Sequence, residues 1–121
     1  MRSGDTGVEL STVENLLRKA IALDDSLAEA HLQLGNLYSD QHRYNDSIVE
    51  YERALELNPA LSDAHYRLGT DYVHVGKKES AEKEFAVYQK LRADHLAEVQ
   101  KERDEVQQFV YSEKSSGTST P

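Results

Sequence analysis

The chain has 121 residues, a formal net charge of −8, 30% charged residues and neither cysteine nor tryptophan. That is the size of one small domain, and the missing cysteines remove disulfides, zinc–thiolate sites and thiol catalysis together. The negative balance repels a phosphate backbone, no basic stripe is interleaved with aromatics, and no apolar run approaches the roughly 20 residues of a membrane span, so nucleic acid and membrane insertion are excluded as partners.

In chain order, residues 1–10 carry Gly4, Gly7, a single Arg and no helical stripe, which predicts a flexible segment without a secretory signal. Val13, Leu17, Ala20 and Ile21 then set a helical period over 11–24. Ser26 stands three residues ahead of Glu29, the spacing of a capping box, at the head of a helix over 28–41 whose apolar face is Leu34, Leu37 and Tyr38. Ile48, Tyr51 and Leu55 share a face of the next helix, 45–57, which the pair Asn58-Pro59 ends. Helices over 62–75 and 78–92 follow, separated by Gly76. Connections this short make consecutive helices antiparallel neighbours. Beyond them an imperfect stripe of Tyr88, Leu91, Leu96, Val99, Val106 and Phe109, interrupted by Lys101 to Glu105, predicts a capping helix over 96–111 and a disordered polar tail over 112–121.

The chain repeats itself. Leu34, Gly35 and Tyr38 return 34 residues later as Leu68, Gly69 and Tyr72, and in the same register His31 falls on His65, Ser47 on Ala81 and Tyr51 on Phe85. A glycine on one helix and a small residue on the next let a hairpin close tightly, and the aromatic fills the remaining space. Leu-Gly-x2-Tyr, a small residue nine positions on, an aromatic four further and then Pro resembles the tetratricopeptide repeat. The matching positions are Leu34, Gly35, Tyr38, Ser47, Tyr51, Ala54 and Pro59 in a repeat over 28–61, and Leu68, Gly69, Tyr72, Ala81 and Phe85 in one over 62–95.

The resemblance implies an all-α fold of antiparallel helix-hairpin repeats, an α-solenoid fragment with a C-terminal capping helix. Residues 11–27 read as the second helix of an incomplete repeat, and the chain reads as a C-terminal piece of a longer bacterial array whose localisation is open. Repeat units need neighbours to bury their faces, so two and a half repeats are marginal and the last helix is expected to be structural. Departures from the pattern are His31 and His65 where a large aromatic is usual, His42 where the turn glycine is usual, Tyr88 for a small residue and Ala93 for proline. Histidine tolerates positive φ better than most residues.

Five histidines at 31, 42, 65, 74 and 95 offer no H-E-x-x-H run and no i, i+4 pair, and no Ser, His and Asp sit as nucleophilic catalysis asks. No metal, no cofactor and no enzymatic activity are expected. The resemblance implies instead that the concave face, lined by the first helix of each repeat, binds a peptide or partner helix of unknown identity. That face carries Gln33, Asn36 and Asp40, then Tyr66, Arg67, Thr70 and His74, with Glu29, Leu32, Asp63 and Val73 nearby. Asn36 would bond peptide backbone and Arg67 a carboxylate. The version of this groove that grips acidic C-terminal tails needs two further lysines, and Leu32 and Asp63 stand in their places, so such tails are expected to bind weakly or not at all. The alternative is a homodimer formed through the bare face of helix 11–24, with Val13, Leu16, Leu17 and Ile21, or through the C-terminal helix.

Overall fold

A computed structural model describes the backbone of residues 2–118 and the side chains of 9–114. Five helices follow one another: α1 (Arg2–Leu23), α2 (Ala28–Asp40), α3 (Tyr44–Leu57), α4 (Ser62–His74) and α5 (Lys78–Thr118). Among the described residues there is no strand, and no helix is long and apolar enough to cross a membrane. The chain divides into two units, Met1–Tyr88 and Gln89–Pro121.

In the first unit, successive helices form hairpins that repeat with the sequence. Gly35 on α2 faces Tyr51 on α3, and a Cβ at Gly35 would lie 2.7 Å from that ring. Gly69 on α4 faces Phe85 on α5 in the same way, at 2.6 Å. The core between the hairpins is Leu32, Ile48, Tyr51, Ala54, Ala64, Leu68, Tyr72 and Ala81. A second cluster of Leu34, Leu37 and Tyr38 receives Leu17 and Ile21 from α1. Each hairpin turn passes through the left-handed region at one residue, His42 with φ 61° and Gly76 with φ 82°, as the 34-residue register expects of both.

The two register histidines make the same clamp. His31 Nδ1 lies 2.9 Å from Glu50 Oε1 and Nε2 lies 3.2 Å from the Asp25 carbonyl. His65 Nδ1 lies 2.7 Å from Glu84 Oε1 and Nε2 lies 2.9 Å from the Pro59 carbonyl. Each buried ring thus ties a first helix to its second helix and to the loop before it, a packing role for residues with polar atoms that burial would otherwise leave unmatched.

The sequence-based expectations differ from the structure at four places. Residues 2–10, expected within a flexible segment over 1–10, form the first part of α1, and residue 1 lies outside the described residues. Glycine lowers helix stability by about 1 kcal/mol per residue without breaking the helix as proline does, so Gly4 and Gly7 weaken the expectation of helix and do not forbid it. The capping box does not form. Leu27 is the residue ahead of α2 and makes no side-chain cap, because Ser26 turns its Oγ and its backbone N–H onto Asp24 Oδ1, at 2.5 and 3.0 Å. These two bonds hold the Asp24 carboxyl below its usual range. Leu32 is a core residue, not part of the concave surface. Finally, 78–92 and 96–111 are one helix with no break, and α5 continues through 112–118 where a disordered tail is expected; residues 119–121 lie outside the described residues. Arg92 and Ala93 replace the Asn58-Pro59 that ends α3, so no residue there stops the helix.

In the second unit the helix has Leu91 half-buried and is exposed over 92–114, with Leu96, Val99, Val106, Phe109, Val110 and Tyr111 open to solvent. Gln100 donates to Asp104 at 2.8 Å along its surface.

Candidate functional site

The first helix of each repeat, α2 and α4, carries the candidate groove residues. A shallow depression of about 230 Å³ opens between them, lined by Ser39 from α2 and Asp63, Tyr66, Arg67 and Thr70 from α4. Three of the seven residues expected from the sequence therefore meet here: Tyr66, Arg67 and Thr70. Arg67 is half-buried, and its Nε donates to Asp63 Oδ2 at 3.3 Å. The Thr70 hydroxyl donates to the Tyr66 carbonyl one turn earlier, at 3.1 Å, which orients its methyl group and oxygen. The Tyr66 ring is 48% exposed and leans on Phe85 and Tyr88, with centroids 5.7 and 5.1 Å away.

Asn36 stands one turn before Ser39 on α2. Its Oδ1 accepts the Tyr51 hydroxyl at 2.7 Å, so Tyr51 fixes the amide. The Tyr51 hydroxyl is pushed up to about 12, chiefly by burial and next by the nearby Asp71 charge, with Arg67 opposing. It stays protonated, and therefore a donor, at any ordinary pH.

Gln33, Asp40 and His74, like Asn36, are not among the residues that line the depression. Gln33 Nε2 donates to Glu29 Oε2 at 2.8 Å on the exposed side of α2, and Asp40 is exposed at the helix end. His74 stacks flat on Tyr44 of α3, with centroids 4.3 Å apart and planes 2° from parallel; Tyr44 in turn stacks on His42 at 5.7 Å. His74 is thus committed to the α3 side of its helix. Of the self-association residues, Leu17 and Ile21 pack on the α2 cluster, whereas Val13 and Leu16 remain 45% and 61% exposed.

Behind the groove lies a residue the sequence reading missed. Asp71 is fully buried; Ser39 Oγ donates to its Oδ1 at 2.9 Å and Ser47 Oγ to its Oδ2. It joins α4 to α2 through Ser39, which also lines the depression, and to α3 through Ser47. Burial pushes the carboxyl above the usual range, and the two serine bonds oppose that shift. The register points away from it, since the equivalent first-repeat residue is Leu37; its one signal in the sequence is an acid on the apolar face of an amphipathic helix.

The repeated hairpins have counterparts among known proteins. A family model described as TPR repeat matches residues 35–73. Superkiller complex protein 3 of Mus musculus is 33% identical over 70 residues, 58% of this chain and 4% of that protein. A crystal structure of MamA is similar with a TM-score of 0.71 at 25% identity, covering 74% of this chain and 52% of that one. A second MamA structure, MSR-1 C2, gives 0.66 at 21%, covering 72% and 50%, and shares the fold. The chain spans about half the length of these structural neighbours and a small part of the mouse protein.

Proposed function

We propose a function from one premise: the chain belongs to the tetratricopeptide-repeat family, whose repeats are protein–protein interaction modules. Its α2–α4 groove holds an extended segment of another protein. The observation that carries this reading is the depression at Ser39, Tyr66, Arg67 and Thr70, beside an Asn36 amide fixed by Tyr51. Asn36 donates to ligand backbone, Tyr66 offers an aromatic face, and Arg67 pairs with a side-chain carboxylate when it leaves Asp63. Glu29, Asp40 and Asp63 make the surroundings acidic, which disfavours strongly acidic tails and favours segments of mixed charge.

Selection from a displayed random peptide library tests the reading. Selected peptides are expected to lose at least about tenfold in affinity with Asn36→Ala or Arg67→Ala, and to bind Val106→Glu unchanged. A library that yields no binders, or binders indifferent to both groove substitutions, would overturn it.

A second reading, self-association, is favoured by a different observation: Leu10, Val13, Leu16 and Leu23 of α1 are exposed on a helix that otherwise packs on the core.

A further inference from the structure

The hydrogen-bonding directions in the α2–α4 depression are set from behind it. A serine or threonine hydroxyl has one proton to give and two lone pairs to offer. Ser39 gives its proton to Asp71 Oδ1 at 2.9 Å, and Thr70 gives its own to the Tyr66 carbonyl at 3.1 Å. A carbonyl has no proton to return. Asp71 leaves Ser39 the donor in either protonation state: a proton on Oδ2 would be donated to Ser47 Oγ, which has the Tyr44 carbonyl at 3.0 Å for its own, and Oδ1 would still accept. The Tyr51 hydroxyl, which also interacts with Ser39, gives its proton to Asn36 at 2.7 Å. Both aliphatic hydroxyls of the depression therefore offer an occupant lone pairs and no proton.

The rest of the lining has the same preference once Arg67 is set aside. A carboxylate accepts at about four positions, and the Arg67 Nε–H takes one of them on Asp63, at 3.3 Å. The side chains of this pair are 41% and 61% exposed, and an ion pair so open to water is weak and readily exchanged. The Tyr66 ring, 48% exposed, presents a face that attracts cations. The chain as a whole carries a formal charge of −8.

We propose that the depression takes the ammonium group of a lysine side chain of the bound segment, with Ser39 Oγ, Thr70 Oγ1 and the Asp63 carboxylate as its acceptors. A lysine ammonium is all donor, three N–H bonds and no lone pair, which is the complement of this lining. The proposal rests on the groove reading and deepens it. As Arg67 turns to a carboxylate of the ligand, the lysine takes its place on Asp63, so both charges of the resting pair stay matched. A ligand bringing only an acid strands Asp63, and one bringing only a base strands Arg67. Lysine suits the site better than arginine, because three rotatable donors on a point charge reach acceptors on two helices, whereas the planar guanidinium fork is shaped for one carboxylate.

Peptides selected on the full chain test this through their own residues. Those that lose affinity with Asn36→Ala or Arg67→Ala are expected to share a lysine close to an acidic residue. Replacing that lysine by norleucine, which keeps the stem and drops the ammonium, should weaken binding at least about tenfold, and replacing it by arginine should weaken it as well. On Asp63→Asn and Thr70→Val chains the ratio of lysine to norleucine affinity should shrink to about threefold or less. Both substitutions keep the side-chain shape outside the core and should leave the thermal midpoint close to that of the natural chain; Ser39→Ala is avoided, because it takes a partner from buried Asp71. Groove-dependent peptides with no shared lysine, norleucine accepted without loss, arginine bound as tightly, or a ratio unchanged in either variant would each overturn the lysine assignment and leave the groove reading standing. Peptides indifferent to Asn36→Ala and Arg67→Ala, or a library without binders, would overturn the groove reading and this proposal with it.

Discussion

Alanine at Gly35 and at Gly69 should have different consequences although the two positions are equivalent in sequence. Replacing a mid-helix glycine by alanine gains about 1 kcal/mol of helix propensity. Against this stands the new methyl group, 2.7 Å from the Tyr51 ring in one hairpin and 2.6 Å from the Phe85 ring in the other, where ordinary contact begins near 3.4 Å. Something must give by more than half an ångström at both sites. Tyr51 is fully buried, and its hydroxyl is fastened to Asn36 at 2.7 Å, so the ring yields only by breaking that bond or moving α3. Overpacking of this kind costs about 1–3 kcal/mol, and the lost bond adds about 1 kcal/mol. The net for Gly35→Ala is a loss of about 1–3 kcal/mol. Phe85 is half-buried and has no hydroxyl to hold it, so its ring tilts outward and the cost falls near the propensity gain. Gly69→Ala should be neutral to within about 1 kcal/mol. Urea unfolding of the two variants beside the natural chain gives both values. Equal losses, or a larger loss at Gly69, would refute the argument that the fastening of the opposing ring, not the initial clash, sets the cost.

Asp71→Asn should change the pH dependence of stability. Burial raises the folded carboxyl above its unfolded value of 3.8, so the native state holds its proton longer, and this group's contribution is lost as pH rises from the unfolded value through the folded one. Urea midpoints of the natural chain minus those of Asp71→Asn should therefore fall as pH rises from 3.5 to 7; a difference that grows with pH would contradict the sign. Tyr51→Phe, which removes the hydroxyl held by Asn36, should cost about 1 kcal/mol in the same assay, and it should weaken groove peptides by releasing the amide; an effect on stability with none on peptide affinity would separate Asn36 from binding. His65→Leu leaves Glu84 Oε1 and the Pro59 carbonyl without their partner and should cost about 1–3 kcal/mol, read from the thermal midpoint, with no loss indicating that water replaces the ring freely.

The hairpins were legible in the sequence because the constraints that make them are local and repeated. Gly35 and Gly69 mark close approach, and His42 and Gly76 mark the turns, each readable from residue type and register alone. Legibility ended where a side chain's neighbour lies on a distant element. Asp71 finds Ser39 and Ser47 across 32 and 24 residues, and Leu32 is core because Ala64 and Leu68 of α4 join its cluster, whereas its register partner Tyr66 is exposed. His74 shares its helix with Arg67 but is drawn away by Tyr44. The extent of α1 and α5 was misread for an opposite reason: both run through positions where the register places a turn or a stop, and the residues there, Val8 and Arg92-Ala93, matter for what they fail to impose.

The central claim is that a partner segment lies between α2 and α4. Amide chemical-shift mapping of the isotope-labelled chain with a library-selected peptide tests it most directly. The account predicts the largest changes at Asn36, Ser39, Tyr66, Arg67 and Thr70, with the amides of Val99 to Tyr111 unmoved. Changes concentrated on α1 or on the second unit, with the groove amides still, would contradict it.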